Sequence, residues 1–120
     1  MNILRIAVAT NDHKTISRGM LGRAAYFDIY EFDGNEFKLV ERRKNPYEKT
    51  LQRGKTYDVY EVIKDVHVTV SQLVGKRGIP RLKQKGLVLI FRKGIIEEIL
   101  EEIRSDLREL LNNPNGAPLD

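Results

Sequence analysis

Residues 16–27 read ISRGMLGRAAYF, and this stretch joins two strand-like runs, Ile3 to Thr10 and Tyr26 to Phe32. A segment between two strands is expected to form a loop at one end of a sheet. The stretch holds two glycines, two arginines and the chain's only internal methionine. Glycines permit close approaches of the backbone, and arginines beside exposed backbone N–H groups are suited to holding an anion. The stretch therefore predicts an anion-binding or partner-binding loop.

Hydrophobic periodicity and turn signals divide the rest of the chain into strands and helices. The predicted strands are residues 3–10, 26–32, 36–43, 66–70 and 87–91, and the predicted helices are 56–64, 80–85 and a long last helix opened by residues 92–94 and ended by residues 112–114. The order β-β-β-α-β-α-β-α predicts an α/β fold with a mixed five-stranded sheet and helices on its faces. The loops after residues 10, 70 and 91 are expected to gather at one edge, where open sheets bind ligands.

Side-chain patterns add finer expectations to three of these elements. In the third strand, alternation places Phe37 and Leu39 on one face and Lys38 and Arg42 on the other. Thr56 is the candidate cap of the first helix. The last helix carries apolar residues at a spacing of three to four, which predicts one buried stripe. Its members are Ile95, Ile96, Ile99, Leu100, Ile103, Leu107, Leu110 and Leu111.

Length and composition limit the classes of protein to consider. The 120 residues fit one domain, here residues 1–113, followed by a flexible tail at 114–120. The absence of cysteine excludes disulfides, thiolate metal sites and a cysteine nucleophile. The longest apolar run, Leu87 to Phe91, is far too short to cross a bilayer, and the first residues open a strand rather than a signal peptide. These features predict a cytoplasmic protein without membrane contact.

The charge balance is mildly basic. The net charge is +4 and the sequence pI is about 9.4, so anionic partners are favoured. This excess is small against the 32% of residues that are charged, many of them Lys and Glu. Such a composition is typical of a heat-adapted surface, and we give this interpretation more weight than nucleic-acid binding.

The opening strand, the residues Ser17 and Gly22 to Phe27, and the later pair Asn45-Pro46 resemble the dinitrogenase iron–molybdenum cofactor biosynthesis family. That family has a Ser-x-x-Phe-Gly-Arg-Ala-x-x-Phe loop after its first strand, an Asn-Pro after the third and a glycine-rich loop after the fourth. The resemblance implies the ribonuclease-H-like motif, in agreement with the predicted order of elements. It also implies binding of an anionic molybdenum or iron–sulfur type cluster, or a similar cofactor, without turnover.

The resemblance also assigns candidate cofactor-binding residues. It places Ser17, Gly22, Arg23 and Ala24 in the family's first loop, and Gly75, Lys76, Arg77 and Gly78 in its second, glycine-rich loop. Many members carry His-Phe before Gly-Arg-Ala, whereas this chain has Met20-Leu21 after an inserted Gly19. The usual histidine ligand is therefore absent, and Met20 offers a soft thioether in its place. The metal ligands remain unassigned.

Structural roles compete with ligand binding at several of these residues. Arg23 is suited to pairing with Asp28 or Glu31 at the surface, and Arg18 is interpreted as a solvated charge. His67 is flanked by valines on an inner strand, which favours a structural histidine. His13 lies in a polar turn and is expected to be exposed.

Two other classes of function stay open. One is a protein-interaction module, or a homodimer, centred on Met20-Leu21 with a degenerate ligand site. The other is a nucleic-acid-binding protein, whose basic cluster is Arg77, Arg81, Lys83, Lys85, Arg92 and Lys93. No aromatic residues are interleaved with that cluster, so nucleic acid is the less favoured partner. The sequence has no nucleophile elbow and no triad pattern, which predicts a protein that is not an enzyme.

Overall fold

A computed structural model of the chain describes residues 2–47 and 55–113, of which residues 55–58 are described by their backbone alone. Its strands are β1 Leu4–Thr10, β2 Tyr26–Phe32, β3 Phe37–Lys44, β4 Val68–Ser71 and β5 Val88–Phe91, and its helices are α1 Lys55–Ile63, α2 Gly78–Gln84 and α3 Ile96–Asn112. A single 3-10 turn covers Leu21–Arg23. The predicted order of elements is confirmed, whereas residues 48–54 and the predicted tail at 114–120 lie outside the described residues.

The five strands form one sheet in the order β3-β2-β1-β4-β5. β1, β2 and β3 pair antiparallel, while β4 lies parallel to both β1 and β5. This mixed sheet confirms the predicted fold class and is compatible with the ribonuclease-H-like motif. β1 lies at its centre because its small and branched apolar residues tolerate burial on both faces.

Two hydrophobic cores cover the two faces of the sheet. On one face, Leu4, Ile6 and Val8 of β1 pack against α3, whose apolar stripe contains Ile103 and Leu107. On the other face, the smaller Ala7 and Ala9 leave room for residues of α1, α2 and the 3-10 turn. Full burial of a Leu or Ile side chain contributes about 1.5–3 kcal/mol, so α3 anchors the first core. No helix among the described residues is long and apolar enough to cross a membrane.

Two side-chain predictions were wrong, and one falls partly outside the described residues. Val40 is an extra residue between Leu39, which faces Tyr30, and Glu41, so β3 contains a bulge. The bulge reverses the alternation and places Arg42 on the same face as Phe37 and Leu39. Ile95 precedes α3 and is 48% exposed, so it does not belong to the buried stripe. Thr56 follows the first residue of α1, and its capping role lies outside the described side chains.

Candidate functional site

Three loops meet at the carboxyl ends of the parallel strands, as the sequence predicts. We call them the opening loop (residues 11–25), the second loop (72–77) and the third loop (92–95). The backbone N–H of Leu21 donates to the carbonyl of Leu73 at 2.8 Å, which joins the opening loop to the second loop. The N–H of Ile16 donates to the carbonyl of Gly94 at 2.9 Å, which joins the opening loop to the third. The shared edge is therefore held together by backbone hydrogen bonds.

Short polar side chains shape the first half of the opening loop. Thr10 Oγ1 donates to the carbonyl of Thr15 at 2.6 Å and accepts from the N–H of His13 at 2.9 Å. Asp12 Oδ1 accepts from the N–H groups of Lys14 and Thr15 at 2.9 and 2.8 Å. Donation from Thr15 and Lys14 lowers the pKa of Asp12 to about 2. Asp12 is therefore ionised at neutral pH, and its carboxylate accepts hydrogen bonds from the loop backbone.

Asn45 fixes the second half of the opening loop from the end of β3. Its side chain is fully buried, and Nδ2 donates to the carbonyls of Gly22 at 3.0 Å and Ala24 at 2.8 Å. Its Oδ1 accepts from the N–H of Tyr47 at 3.0 Å. In the sequence, the Asn-Pro pair served only as a mark of the family, and no role was predicted for Asn45. An amide residue directly before a proline at a strand end was the available signal.

An open cleft of about 940 Å³ lies between the three loops. Its lining residues are Asn11, Asp12, Thr15, Ile16, Ser17, Arg18, Gln72, Lys93 and Gly94. Ser17 is 3% exposed, and its hydroxyl has no hydrogen-bond partner among the described residues. The charged lining side chains are Asp12, Arg18 and Lys93, so the formal charge of the wall is positive by one. A cleft lined by two cations and by a residue with an unpartnered buried hydroxyl suits an anionic ligand.

The predicted binding residues separate into two groups on the structure. Ser17 lines the cleft, whereas Met20 does not. Met20 forms a β-bridge with Leu73, and the Met20 sulfur lies 3.8 Å from where a Cβ on Gly75 would lie. The two predicted loops therefore meet at Met20. Gly22 packs against α1, where an added Cβ would lie 3.2 Å from a methyl group of Val59.

The other predicted residues have structural or exposed positions. Ala24 is buried, and the N–H of Gly78 donates to the carbonyl of Gly75 at 2.8 Å where α2 begins. Arg23, Lys76 and Arg77 are exposed and do not line the cleft. Their role in binding stays a prediction. Arg18, Gln72 and Lys93 also line the cleft. From the sequence, Arg18 was interpreted as a solvated charge, Lys93 was placed only in the basic cluster of the nucleic-acid alternative, and Gln72 was given no role.

The structure assigns different partners to several charged residues. His13 Nδ1 lies 2.8 Å from Asp28 Oδ1, and its side chain is 24% exposed while that of Asp28 is fully buried. The prediction that His13 is exposed was therefore wrong. The predicted pairing of Arg23 with Asp28 or Glu31 was also wrong. Among the described residues, Asp28 pairs with His13 and Glu31 with Arg5 at 2.7 Å, and neither pairs with Arg23.

His67 has the structural role that the sequence predicts. Its Nδ1 accepts from the N–H of Arg5 at 2.9 Å across the parallel pair of β1 and β4. Burial, followed by the nearby charge of Arg5, lowers the pKa of His67. The neutral form of the imidazole therefore accepts this hydrogen bond inside the sheet. Among the described residues, no group of three or more His, Cys, Asp or Glu side chains is placed to hold a metal ion.

Comparison with known proteins agrees with the fold and names a family. The model of the dinitrogenase iron–molybdenum cofactor family matches residues 2–106. The crystal structure of PH0822 is 22% identical to the chain, with a TM-score of 0.71, and the match covers 86% of this chain and 92% of that one. The apo form of the orange protein from Desulfovibrio gigas is 20% identical, with a TM-score of 0.62 over 98% of this chain and 97% of that one. A search of curated proteins gave no significant match. These structures show similarity of fold, and because the family model covers most of the sequence, the chain belongs to the dinitrogenase iron–molybdenum cofactor family.

Proposed function

We propose that the chain is a non-catalytic binding protein that carries an anionic metal–sulfur cluster of the molybdenum or iron–sulfur type, or a similar anionic cofactor, in the cleft between the three loops. One observation carries the proposal: Ser17, whose buried hydroxyl has no hydrogen-bond partner among the described residues, lines a cleft that Arg18 and Lys93 also line. Family membership supplies the class of cargo.

The donor set of the cleft favours binding the cargo as an intact anion. The lining contains no thiol, imidazole or thioether, which are the groups that bind soft metals directly. The Arg18 guanidinium, the Lys93 ammonium and the Ser17 hydroxyl instead offer hydrogen bonds and positive charge to sulfide or oxide atoms at the surface of a cluster. The expected affinity is therefore sensitive to salt.

A carrier without catalysis is the simplest use of these groups. Ser17 Oγ has no hydrogen-bond partner among the described residues, so no base is positioned to activate it. The imidazoles of His13 and His67 are each bonded elsewhere, to Asp28 and to the backbone of Arg5. Arg23 of the opening loop and Lys76 and Arg77 of the second loop do not line the cleft, and we propose that they attract the anion to this edge without contacting it there.

An anaerobic titration with tetrathiomolybdate, with and without copper or iron and followed by absorbance, tests the proposal. We expect a stoichiometric new band for the wild type. The double variant Arg18→Ala/Lys93→Ala is expected to bind about tenfold more weakly or worse, because two charge-assisted contacts are lost. Arg81→Ala is the matched control, since Arg81 is exposed on α2 and does not line the cleft.

The outcomes of this titration separate the possible sites. Absence of a band with the folded wild type would contradict the proposal. Equal binding by the wild type and Arg18→Ala/Lys93→Ala would move the site away from the cleft. In that case Arg23→Ala/Arg77→Ala tests the exposed cations of the opening and second loops that lie outside the cleft. In our proposal this variant mainly slows binding and leaves the melting temperature nearly unchanged.

A second candidate function is binding of a protein partner or a second copy of the chain at Met20. Met20 and Leu73 form a β-bridge and are 44% and 39% exposed, so they place two large apolar side chains together at the surface. Light scattering after size-exclusion chromatography tests the homodimer. A dimer that Met20→Lys dissociates and Leu39→Lys leaves intact would support this function, since Leu39 is equally exposed on distant β3.

A further inference from the structure

His13 has an unusual backbone conformation for its residue type. Its φ is 64°, and among the described residues it is the only non-glycine residue with a positive φ. The left-handed region costs a residue with a Cβ about 1–2 kcal/mol, so surrounding contacts must hold His13 there. The strongest of these contacts is made by its ring, whose Nδ1 lies 2.8 and 3.1 Å from the two carboxylate oxygens of Asp28.

The buried position of Asp28 makes the contact with His13 important. It lies in β2 between Val8 of β1 and Arg42 of β3, and its side chain is fully buried. His13 is the only hydrogen-bond partner of its carboxylate among the described residues. A buried carboxylate without a donor is costly, so Asp28 holds the imidazole firmly in place. The Tyr26 ring, 4.5 Å from the His13 ring between centroids, packs beside the pair.

Hydrogen bonds connect this pair to both walls of the cleft. The N–H of His13 donates to Thr10 Oγ1 at 2.9 Å, and that hydroxyl donates to the carbonyl of Thr15 at 2.6 Å. Asp12 and Thr15, on either side of His13, line the cleft. The neighbouring carbonyl of Lys14 accepts from the N–H of Ile96 at 2.9 Å, at the end of the third loop. The third loop carries Lys93, so both walls depend on where His13 is held.

We propose that Asp28 is a positioning residue for the cleft, which acts through His13. The pair fixes the left-handed turn of the opening loop and thereby places the wall that carries Ser17 and Arg18 opposite Lys93. The consequence for ligand affinity rests on the proposed function, whereas the consequence for loop order does not. Neither His13 nor Asp28 contacts the ligand in this arrangement, because neither lines the cleft.

Three variants separate positioning from stability. Asp28→Asn keeps an oxygen that accepts from Nδ1–H. His13→Gly removes the ring and fits the positive φ, but leaves the carboxylate of Asp28 buried without its donor. The double variant His13→Gly/Asp28→Leu removes that carboxylate as well, since replacement of a buried pair by apolar groups is often neutral for stability. It is therefore expected to fold while lacking the anchor.

Two measurements on these variants test the proposal. Amide hydrogen exchange by NMR reports order at His13, Lys14, Thr15 and Ile16, whose N–H groups are all hydrogen-bonded. We expect exchange at these amides to be about tenfold faster or more in the double variant and close to wild type in Asp28→Asn. Tetrathiomolybdate affinity is expected to fall about tenfold in the double variant and at most about threefold in Asp28→Asn.

Each outcome has a distinct meaning. Unchanged exchange at the four amides in a folded double variant would overturn the positioning role, whatever the affinity. Faster exchange with unchanged tetrathiomolybdate affinity would overturn the link to the cleft. If the wild type does not bind tetrathiomolybdate, the proposed function fails, and the exchange comparison still decides whether Asp28 positions the loop.

Discussion

Replacement of Asn45 is the sharpest test of how the opening loop is held. Asn45→Ala removes the donor to the carbonyls of Gly22 and Ala24 and the acceptor of the Tyr47 N–H, and all three bonds are 2.8–3.0 Å long. Each buried polar group left without a partner costs about 1–3 kcal/mol. The contact with Ala24 is buried and the other two are partly buried, so we expect a loss of about 3 kcal/mol in the free energy of unfolding.

Asn45→Asp makes the prediction more specific. The replacement has nearly the same shape, but an ionised carboxylate has no proton to donate and would face two carbonyl oxygens. At neutral pH we therefore expect Asn45→Asp to be less stable than Asn45→Ala. The difference is expected to shrink in acid, where a protonated carboxyl regains one donor.

Thermal and urea unfolding followed by circular dichroism measure both effects. A loss of about 3 kcal/mol corresponds to a fall of about 10 °C in melting temperature for a chain of this size. Asn112→Ala is the matched control, because Asn112 is exposed at the end of α3 and its replacement is expected to change stability by no more than about 0.5 kcal/mol. Stability of Asn45→Ala within that same margin, or an Asn45→Asp protein as stable as wild type, would refute the reasoning.

Two further predictions concern the charge network and the packing of the opening loop. The hydrogen bond from Arg43 lowers the pKa of Asp65 to about 2 from its usual 3.8, so the stability it supplies is present above pH 3.8 and is lost as the pH falls toward 2. Asp65 is 46% exposed, so solvent screens its ion pair. Asp65→Asn is therefore expected to lower the free energy of unfolding by only about 1 kcal/mol at pH 7 and by almost nothing at pH 2. An equal loss at both pH values, measured by urea unfolding, would contradict this. Gly22→Ala would place a methyl 3.2 Å from a methyl of Val59 and is expected to lower the free energy of unfolding by about 1 kcal/mol. In a Val59→Ala background this loss is expected to be smaller, and an unchanged loss would show that crowding against Val59 is not its cause.

The sequence predicted the sheet because local patterns determine most of it. Alternation in β1, the hairpin between β2 and β3 and the spacing of α3 each follow from residues that are close in the chain. The gathering of the three loops also followed, since parallel strands direct their carboxyl ends to one edge. The sequence could therefore predict a candidate site at this edge before its side chains were known.

The details of the site depend on contacts that no local pattern contains. The bulge at Val40 shifts the face of Arg42, and its position is set by pairing with β2 rather than by the composition of β3. His13 and Asp28 are fifteen positions apart, and a polar turn gives no sign that its histidine will be drawn to a buried carboxylate. Lys93 belongs to a basic cluster in sequence, yet in the fold it lines the cleft with Ser17, whereas Arg77 and Arg81 do not.

The opening loop is fixed on both sides of its proposed ligand-binding groups. Its first half is held by the bond of Ile16 to Gly94, and its second half by Asn45 and by the bond of Leu21 to Leu73. Ser17 and Arg18 lie between these two anchors, in the segment that also contains the left-handed Gly19. A group whose position is fixed before binding loses little conformational entropy when a ligand arrives. The hydroxyl of Ser17 has no hydrogen-bond partner among the described residues, so it stays available to a ligand. We expect Asn45, and Asp28 through His13, to control affinity by fixing the loop on either side of Ser17 without touching the ligand.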